Sequence, residues 1–234
     1  MALGGRATDG ALGPPPPSSA SLRVIFATMH GAYRQAEFLR GVARLSALPA
    51  DVGAEVAFAG RSNAGKSSVI NALTGRAALA RISKTPGRTQ QLNFFVLDDD
   101  AHRLVDLPGY GYANVPIAVK NRWAALVEGY LVARRSLKGV VLLMDARRPF
   151  TVADTQLFDW CRHAGVATHL LLNKADKLSR GAGARVLEDA RKRLEPLGGE
   201  NLVQLFSATR RSGIDVLGAR LDTWLGYAPA EQRE

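Results

Sequence analysis

At 234 residues with 47% apolar and 22% charged residues, the chain suits one ordinary domain with a sizeable core plus a tail, and its composition excludes wholesale disorder. The formal charge of +10 and pI near 10.2 point to a polyanionic partner, either nucleic acid or an anionic membrane face. A single cysteine, Cys161, excludes an intrachain disulfide and zinc-finger spacing, and no leader-like or bilayer-length apolar run is present, so a reducing, cytoplasmic setting without a membrane span is expected.

Residues 1–21 are rich in Gly, Pro, Ala and Ser, with consecutive prolines at 14–17, and should be a disordered or extended tail. Residues 22–54 form an apolar-basic extension expected to pack a short strand or helix on the domain that follows. That domain spans 55–228, with 229–234 as a C-terminal tail. EVAFA from Glu55 reads as a strand and SSVINALT as a helix closed by Gly75. Arg76 to Arg88 is a basic loop containing Pro86-Gly87. QLNFFVL and HRLVDLP are two strands joined by the acidic turn Asp98-Asp99-Asp100. A helix is expected over about 117–133, then strand GVVLLMD, a helix over about 153–164, strand THLLLN, a helix over about 184–194, strand LVQLFS and a last helix over about 213–227. The later strands are continuous apolar runs, as in a parallel sheet covered on both faces. The expected fold class is therefore α/β: a three-layer α/β/α domain on a mostly parallel sheet of about six strands, with ligand sites at the strands' carboxyl ends.

Gly60-Arg61-Ser62-Asn63-Ala64-Gly65-Lys66-Ser67 matches the phosphate-binding pattern G-x-x-x-x-G-K-[ST] at a strand-to-helix corner. Glycines let successive backbone N–H groups face phosphate oxygens, Lys66 reaches the β- and γ-phosphates, and the Ser67 hydroxyl binds Mg²⁺; Ser68 continues the loop. Asp106-Leu107-Pro108-Gly109 is D-x-x-G at a strand end. Alone it is uninformative, but at this place Asp106 would hold Mg²⁺ through water and the Gly109 N–H would sense the γ-phosphate. Between the two, Lys84 to Thr89 must supply a second Mg²⁺ hydroxyl, and Thr89, just before the strand, is preferred to Thr85. Asn173-Lys174-Ala175-Asp176, at the end of a strand, selects the base. Asp176 can accept from guanine N1–H and the 2-amino group, which adenine does not offer. Asn173 would tie this loop to the phosphate loop, and the Lys174 stem would cover the ring face. Ser207-Ala208-Thr209 follows LVQLF, which ends in Phe206, and the Ala208 N–H would meet guanine O6.

GRSNAGKSS, SKTPGRTQ, LVDLPGYGYA, NKADKL and FSAT, in this order, resemble the EngB/YihA/YsxC family of bacterial ribosome-biogenesis GTPases, from about Glu55 to the end of the chain. The resemblance implies a P-loop G domain that binds GTP and GDP with Mg²⁺ and assists late assembly of the large ribosomal subunit, with a link to normal cell division and septation. Its expected partners are that subunit or its precursor and ribosomal RNA, and the expected state is a monomer. By position, Thr89 is implied as the Mg²⁺-binding switch threonine, and Gly87, Arg88, Thr89, Gln90 and Gln91 as the first switch segment. Asn63 is where some related G proteins use an asparagine to help bind K⁺ beside the phosphates. The glutamine that often follows D-x-x-G is replaced by Tyr110, so no residue is assigned as catalytic and slow intrinsic hydrolysis is expected.

Two other classes compete. One is a docking module on ribosomes or RNA in which guanine nucleotide is structural and turnover negligible. The other, a P-loop nucleotide kinase, is disfavoured by N-K-x-D and by the lack of an acceptor lid. Cys161 and the three tryptophans, Trp123, Trp160 and Trp224, are expected in the core. Arg134-Arg135 and Arg191-Lys192-Arg193 read as solvated faces, and the four histidines have no ligand-like spacing.

Overall fold

A strand flanked by turn residues and buried along its whole length can only sit in the middle of a covered sheet, and Ala54–Gly60 (β2) is such a strand. The computed structural model describes residues 31–80, 91–111, 116–197 and 202–228. In chain order these form α1 (Ala32–Gln35), β1 (Glu37–Val42), β2, α2 (Lys66–Thr74), β3 (Leu92–Val96), β4 (His102–Asp106), α3 (Ile117–Ala133), β5 (Leu137–Asp145), α4 (Val152–His163), β6 (Thr168–Asn173), α5 (Arg180–Leu194), β7 (Leu202–Leu205) and α6 (Ile214–Leu225). The sheet order is β1-β3-β4-β2-β5-β6-β7. Pairing is parallel from β4 to β7 and antiparallel at the β1-β3-β4 edge. One core, with Ile70, Leu217 and Leu221, covers one face of the sheet, and another, with Val127, Phe158 and Leu194, covers the opposite face. The expected α/β/α layering holds. Among the described residues no helix is long and apolar enough to cross a membrane.

Among the described residues the sheet has seven strands where about six were expected. The seventh is β1, contributed by the N-terminal extension and paired with β3 from Glu37↔Val96 to Val42↔Leu92. Glu37, Phe38, Leu39 and Arg40 are all exposed, so the segment lacks the in-out alternation by which a half-buried strand is read. Two contacts fix its approach: Tyr33 donates to Asp222 at 2.7 Å, and the Arg76 guanidinium donates to the Ala36 carbonyl. Helix α5 begins at Arg180 rather than near residue 184 because Ser179 caps it, its hydroxyl accepting from the Ala182 N–H.

Arg134 corrects a second expectation. It is buried, not solvated: its Nε donates to Glu55 at 2.9 Å and its Nη2 at 2.5 Å, with further bonds to the Pro49 and Ala50 carbonyls. Arg103 and Tyr130 also donate to Glu55, each at 3.0 Å. Arg135 is the exposed member of the pair. Cys161 is buried, and burial pushes its thiol up to about 12, so it is an inert packing group. On the β3–β4 turn the Asp99 carboxylate accepts from His102 Nδ1 at 2.8 Å, and Tyr227 donates to Asp98 at 2.6 Å. The turn is held by its own hydrogen bonds.

His169 on β6 is buried, with Nε2 2.9 Å from Gln204 Oε1. Burial pushes its imidazole down from 6.5 to about 4, against the Gln204 hydrogen bond and with help from Arg220. A depressed folded value means the unfolded chain takes the proton first. Stability is therefore complete above pH about 6.5 and is lost between there and about 4, by on the order of 3 kcal/mol in total. Denaturant titrations at stepped pH should show this slope, and His169→Gln should flatten it. A parallel slope in the variant would contradict the assignment.

Candidate nucleotide site

The phosphate loop spans the corner between Gly60, the last residue of β2, and Lys66, the first of α2. Gly65 caps the helix with φ 98°, and a Cβ there would overlap the Asn173 side chain. Glycine is thus required twice, by backbone conformation and by close approach. Asn63, although not glycine, is also left-handed, with φ 63°. The loop borders a cavity of about 580 Å³ whose wall includes Lys66, Ser67, Asn93, Asp106 and Gly109.

Parallel pairing of β2 with β4 brings Asp106 to this cavity. The Lys66 ammonium pairs with its carboxylate, and Asn93 Nδ2 donates to the other oxygen at 3.5 Å. The ladder runs on past the strand end: the Leu107 N–H donates to the Phe58 carbonyl, and the Ser62 N–H to the Tyr110 carbonyl, each at 2.9 Å. Trp123 Nε1 donates to the Pro108 carbonyl at 3.0 Å, which ties α3 to the D-x-x-G loop. Tyr110 turns inward: its side chain is buried, and its hydroxyl donates to Asp154 at 2.9 Å. Burial and the Asp154 carboxylate raise its phenol well above the ordinary value. The residue standing in the usual glutamine position therefore belongs to the core.

The elements expected to read the base meet at the ends of β6 and β7. Asn173 Nδ2 donates to the Ala64 carbonyl at 2.7 Å, the tie between loops that its position predicted. Its Oδ1 accepts the Ala208 N–H at 3.2 Å, so that N–H, expected to face guanine O6, has a protein acceptor here. Asp176 accepts from the Ser207 hydroxyl at 2.7 Å. Burial works to raise the Asp176 carboxyl, yet the Ser207 bond and Lys177 hold it below the ordinary carboxylate value. The carboxylate is an oriented acceptor. The Ala175 N–H donates to the Phe206 carbonyl at 3.0 Å, locking the two loops side by side.

Lys174 Nζ reaches the Asn63 carbonyl at 2.5 Å and Asp145 at 3.1 Å. Asp145 is one of several residues near the site that sequence reasoning missed. Asn71 is another: its side chain accepts the Ala80 N–H at 2.8 Å and donates to the Ala77 and Ala80 carbonyls at 3.1 Å. Residues 76–80, read from sequence as part of the basic loop, are held by this clamp at Ala77 and Ala80. An asparagine between apolar helix residues, in VINAL, was the available signal. Gly87, Arg88, Thr89 and Gln90 lie outside the described residues, whereas Gln91 is described and exposed.

The Ser67 hydroxyl and Asp106 carboxylate border one cavity. Both are hard oxygen donors beside a phosphate loop, a set that fits Mg²⁺ shared with nucleotide phosphates.

A family model for 50S ribosome-binding GTPases matches residues 55–174. The chain is 52% identical over 198 residues to the "Probable GTP-binding protein EngB" of Nitrosococcus oceani, across 85% of this chain and 98% of that protein. It is 48% identical over 198 residues to the protein of the same name from Coxiella burnetii, across 85% and 96% of the two. Among solved structures it is similar to a probable GTP-binding protein engB, with TM-score 0.59, 24% identity and coverage of 74% and 99%. It is also similar to Aquifex aeolicus Era bound to GDP·AlF4⁻, with TM-score 0.56, 18% identity and coverage of 75% and 56%. At these identities the two structures speak for the fold alone.

Proposed function

The chain belongs to the EngB family of GTP-binding proteins, and from that premise we propose a slow, Mg²⁺-dependent GTPase whose nucleotide state controls docking on the large ribosomal subunit or its precursor. GTP binding and hydrolysis come with the family. The observation that carries the mechanistic part is the group on one cavity wall, Lys66, Ser67 and Asp106, beside a phosphate loop tied by Asn173 to the loop that carries Asp176. Lys66 would hold the β- and γ-phosphates, and Ser67 and Thr89, with Asp106 through water, would hold the metal, which would supply charge neutralisation to the phosphates. Asp176 would read the guanine edge. Slow turnover is supported by Tyr110, whose hydroxyl is engaged by Asp154 and so offers nothing to orient an attacking water. A role in subunit assembly, with its link to division and septation, and a monomer acting in the cytoplasm complete the reading. They rest on the family resemblance and on the +10 charge, which suits ribosomal RNA.

Single-turnover hydrolysis measured with and without Mg²⁺ tests this reading. Slow but metal-dependent phosphate release is expected. No release, with GTP and GDP bound equally well, would favour a docking module in which the nucleotide is structural.

A monovalent ion beside the phosphates is a further proposal, which rests on the asparagine that some related G proteins use for it at the position of Asn63, here on the same cavity. K⁺ should accelerate turnover over Na⁺ at equal ionic strength, and Asn63→Ala should abolish the difference. Identical rates in the two salts would remove K⁺ from the mechanism.

A further inference from the structure

Asn63 and Lys174 both have left-handed backbone, with φ 63° and 65°. Left-handed backbone is disfavoured for a residue with a Cβ, less for asparagine than for lysine, and surrounding contacts help to hold it. Here the contact joins the two residues: Lys174 Nζ donates to the Asn63 carbonyl at 2.5 Å. The ammonium is held from its other side by Asp145 Oδ2 at 3.1 Å. Asp145 is the last residue of β5, the strand next to β2, which carries the phosphate loop. It also pairs in register with Asn173 of β6. The carboxylate therefore stands between the two strands whose ends carry the phosphate and base loops.

Its remaining lone pairs are occupied too. Arg147 closes over it, with Nε 2.9 Å from Oδ1, Nη2 2.7 Å from Oδ2 and its backbone N–H 3.0 Å from Oδ1. The Asp145 side chain is 14% exposed, while that of Arg147 is 51% exposed. The Arg147 hydrogen bond, against the opposing effect of burial and with Lys174 contributing, keeps the carboxyl well below the ordinary range. Asp145 is thus a fixed negative charge, and Lys174 is the flexible partner that it orients.

We propose that Asp145 is a positioning residue for nucleotide binding: it anchors the Lys174 ammonium against the phosphate loop, so that the Lys174 stem is stretched as a preformed wall for the base. The consequence is specific. Lys174 has several rotatable bonds, and without its counter-ion it must be ordered at the moment of binding, which weakens affinity. Because the contact lies away from the γ-phosphate wall formed by Lys66 and Asp106, GTP and GDP should suffer alike.

The inference rests on guanine nucleotide occupying this site, and wild-type binding is the control that tests that premise separately. Affinities for GTP and GDP should be measured by calorimetry for the wild type, Asp145→Asn, Lys174→Met and the double variant, together with nucleotide-free thermal midpoints. Asp145→Asn should weaken both nucleotides by roughly tenfold, the effect of one charge-assisted hydrogen bond. The GTP-to-GDP ratio should stay within about twofold of wild type, and in the Lys174→Met background the same change should add almost nothing. The nucleotide-free midpoint of Asp145→Asn should match wild type, which separates positioning from a merely structural role. Unchanged affinity, a full additional loss in the Lys174→Met background, or a lowered midpoint that accounts for the affinity loss would each overturn the proposal.

Discussion

Glu55→Ala is expected to destabilise the fold by about 3–5 kcal/mol, because it leaves two buried guanidinium groups without their shared carboxylate. Glu55 is 0% exposed, and Arg103 and Arg134 are 4% and 6% exposed. Arg134 retains Asp51, 3.6 Å away, and two carbonyls. Arg103 retains only weaker bonds to the Ala50 and Val52 carbonyls, at 3.1 and 3.4 Å. Tyr130, whose hydroxyl donates to Glu55, also loses its acceptor. The network sits at the start of β2, the central strand, so its failure should propagate through the sheet instead of fraying one edge. Chemical denaturation at neutral pH measures the effect, and a loss under about 1 kcal/mol would mean that the cations find water or other acceptors.

Asp176→Asn should weaken GTP by at least about 2 kcal/mol, since a guanine edge with two donors then faces an amide donor. The substitution is conservative for the protein itself, because an amide oxygen can still accept from Ser207, as Asp176 Oδ1 does at 2.7 Å. The amide nitrogen would then point at the base. Xanthosine nucleotides, which carry a 2-oxo group, should bind the variant better than they bind the wild type. Competition with ATP supplies the check on wild type: equal affinity for ATP and GTP would mean that Asp176 does not read the base.

The placement of the motif residues was largely legible in the chain because each has a local reason for its spacing. Gly65 must turn left-handed directly before the helix, and Lys66 and Ser67 must follow it. Asp106 and Asn173 must end strands. What was not legible depends on pairing between distant segments. Glu55 meets Arg103 and Arg134 across separations of 48 and 79 residues, and nothing local distinguishes a buried arginine from a solvated one. Arg134 beside Arg135 therefore read as surface. Strand β1 could be read only as a short strand or helix, because an exposed edge strand shows no alternation. Asp145 read only as the end of an apolar run, since its importance comes from Lys174, 29 residues on. Tyr110 was recognised as replacing a glutamine, but its inward turn to Asp154 could not be inferred without knowing where α4 lies. The cap on α5 is the opposite case: Ser179 was a readable signal, and the expected helix began too late for want of using it.

Nucleotide-gated docking is the central claim, and co-sedimentation with large ribosomal subunits tests it most directly. The full chain should be spun with purified subunits in GDP and in a non-hydrolysable GTP analogue over a range of salt. The analogue should give tighter binding, and the logarithm of affinity should fall with that of salt at a slope near ~0.7–0.9 per phosphate contact. Arg81 and Lys84 lie outside the described residues, yet they belong to the acid-free basic stretch around the phosphate loop. Replacing both with alanine should flatten the slope while leaving nucleotide affinity nearly unchanged. The same binding and the same slope in both nucleotide states would contradict gating, even if the protein sediments with the subunit.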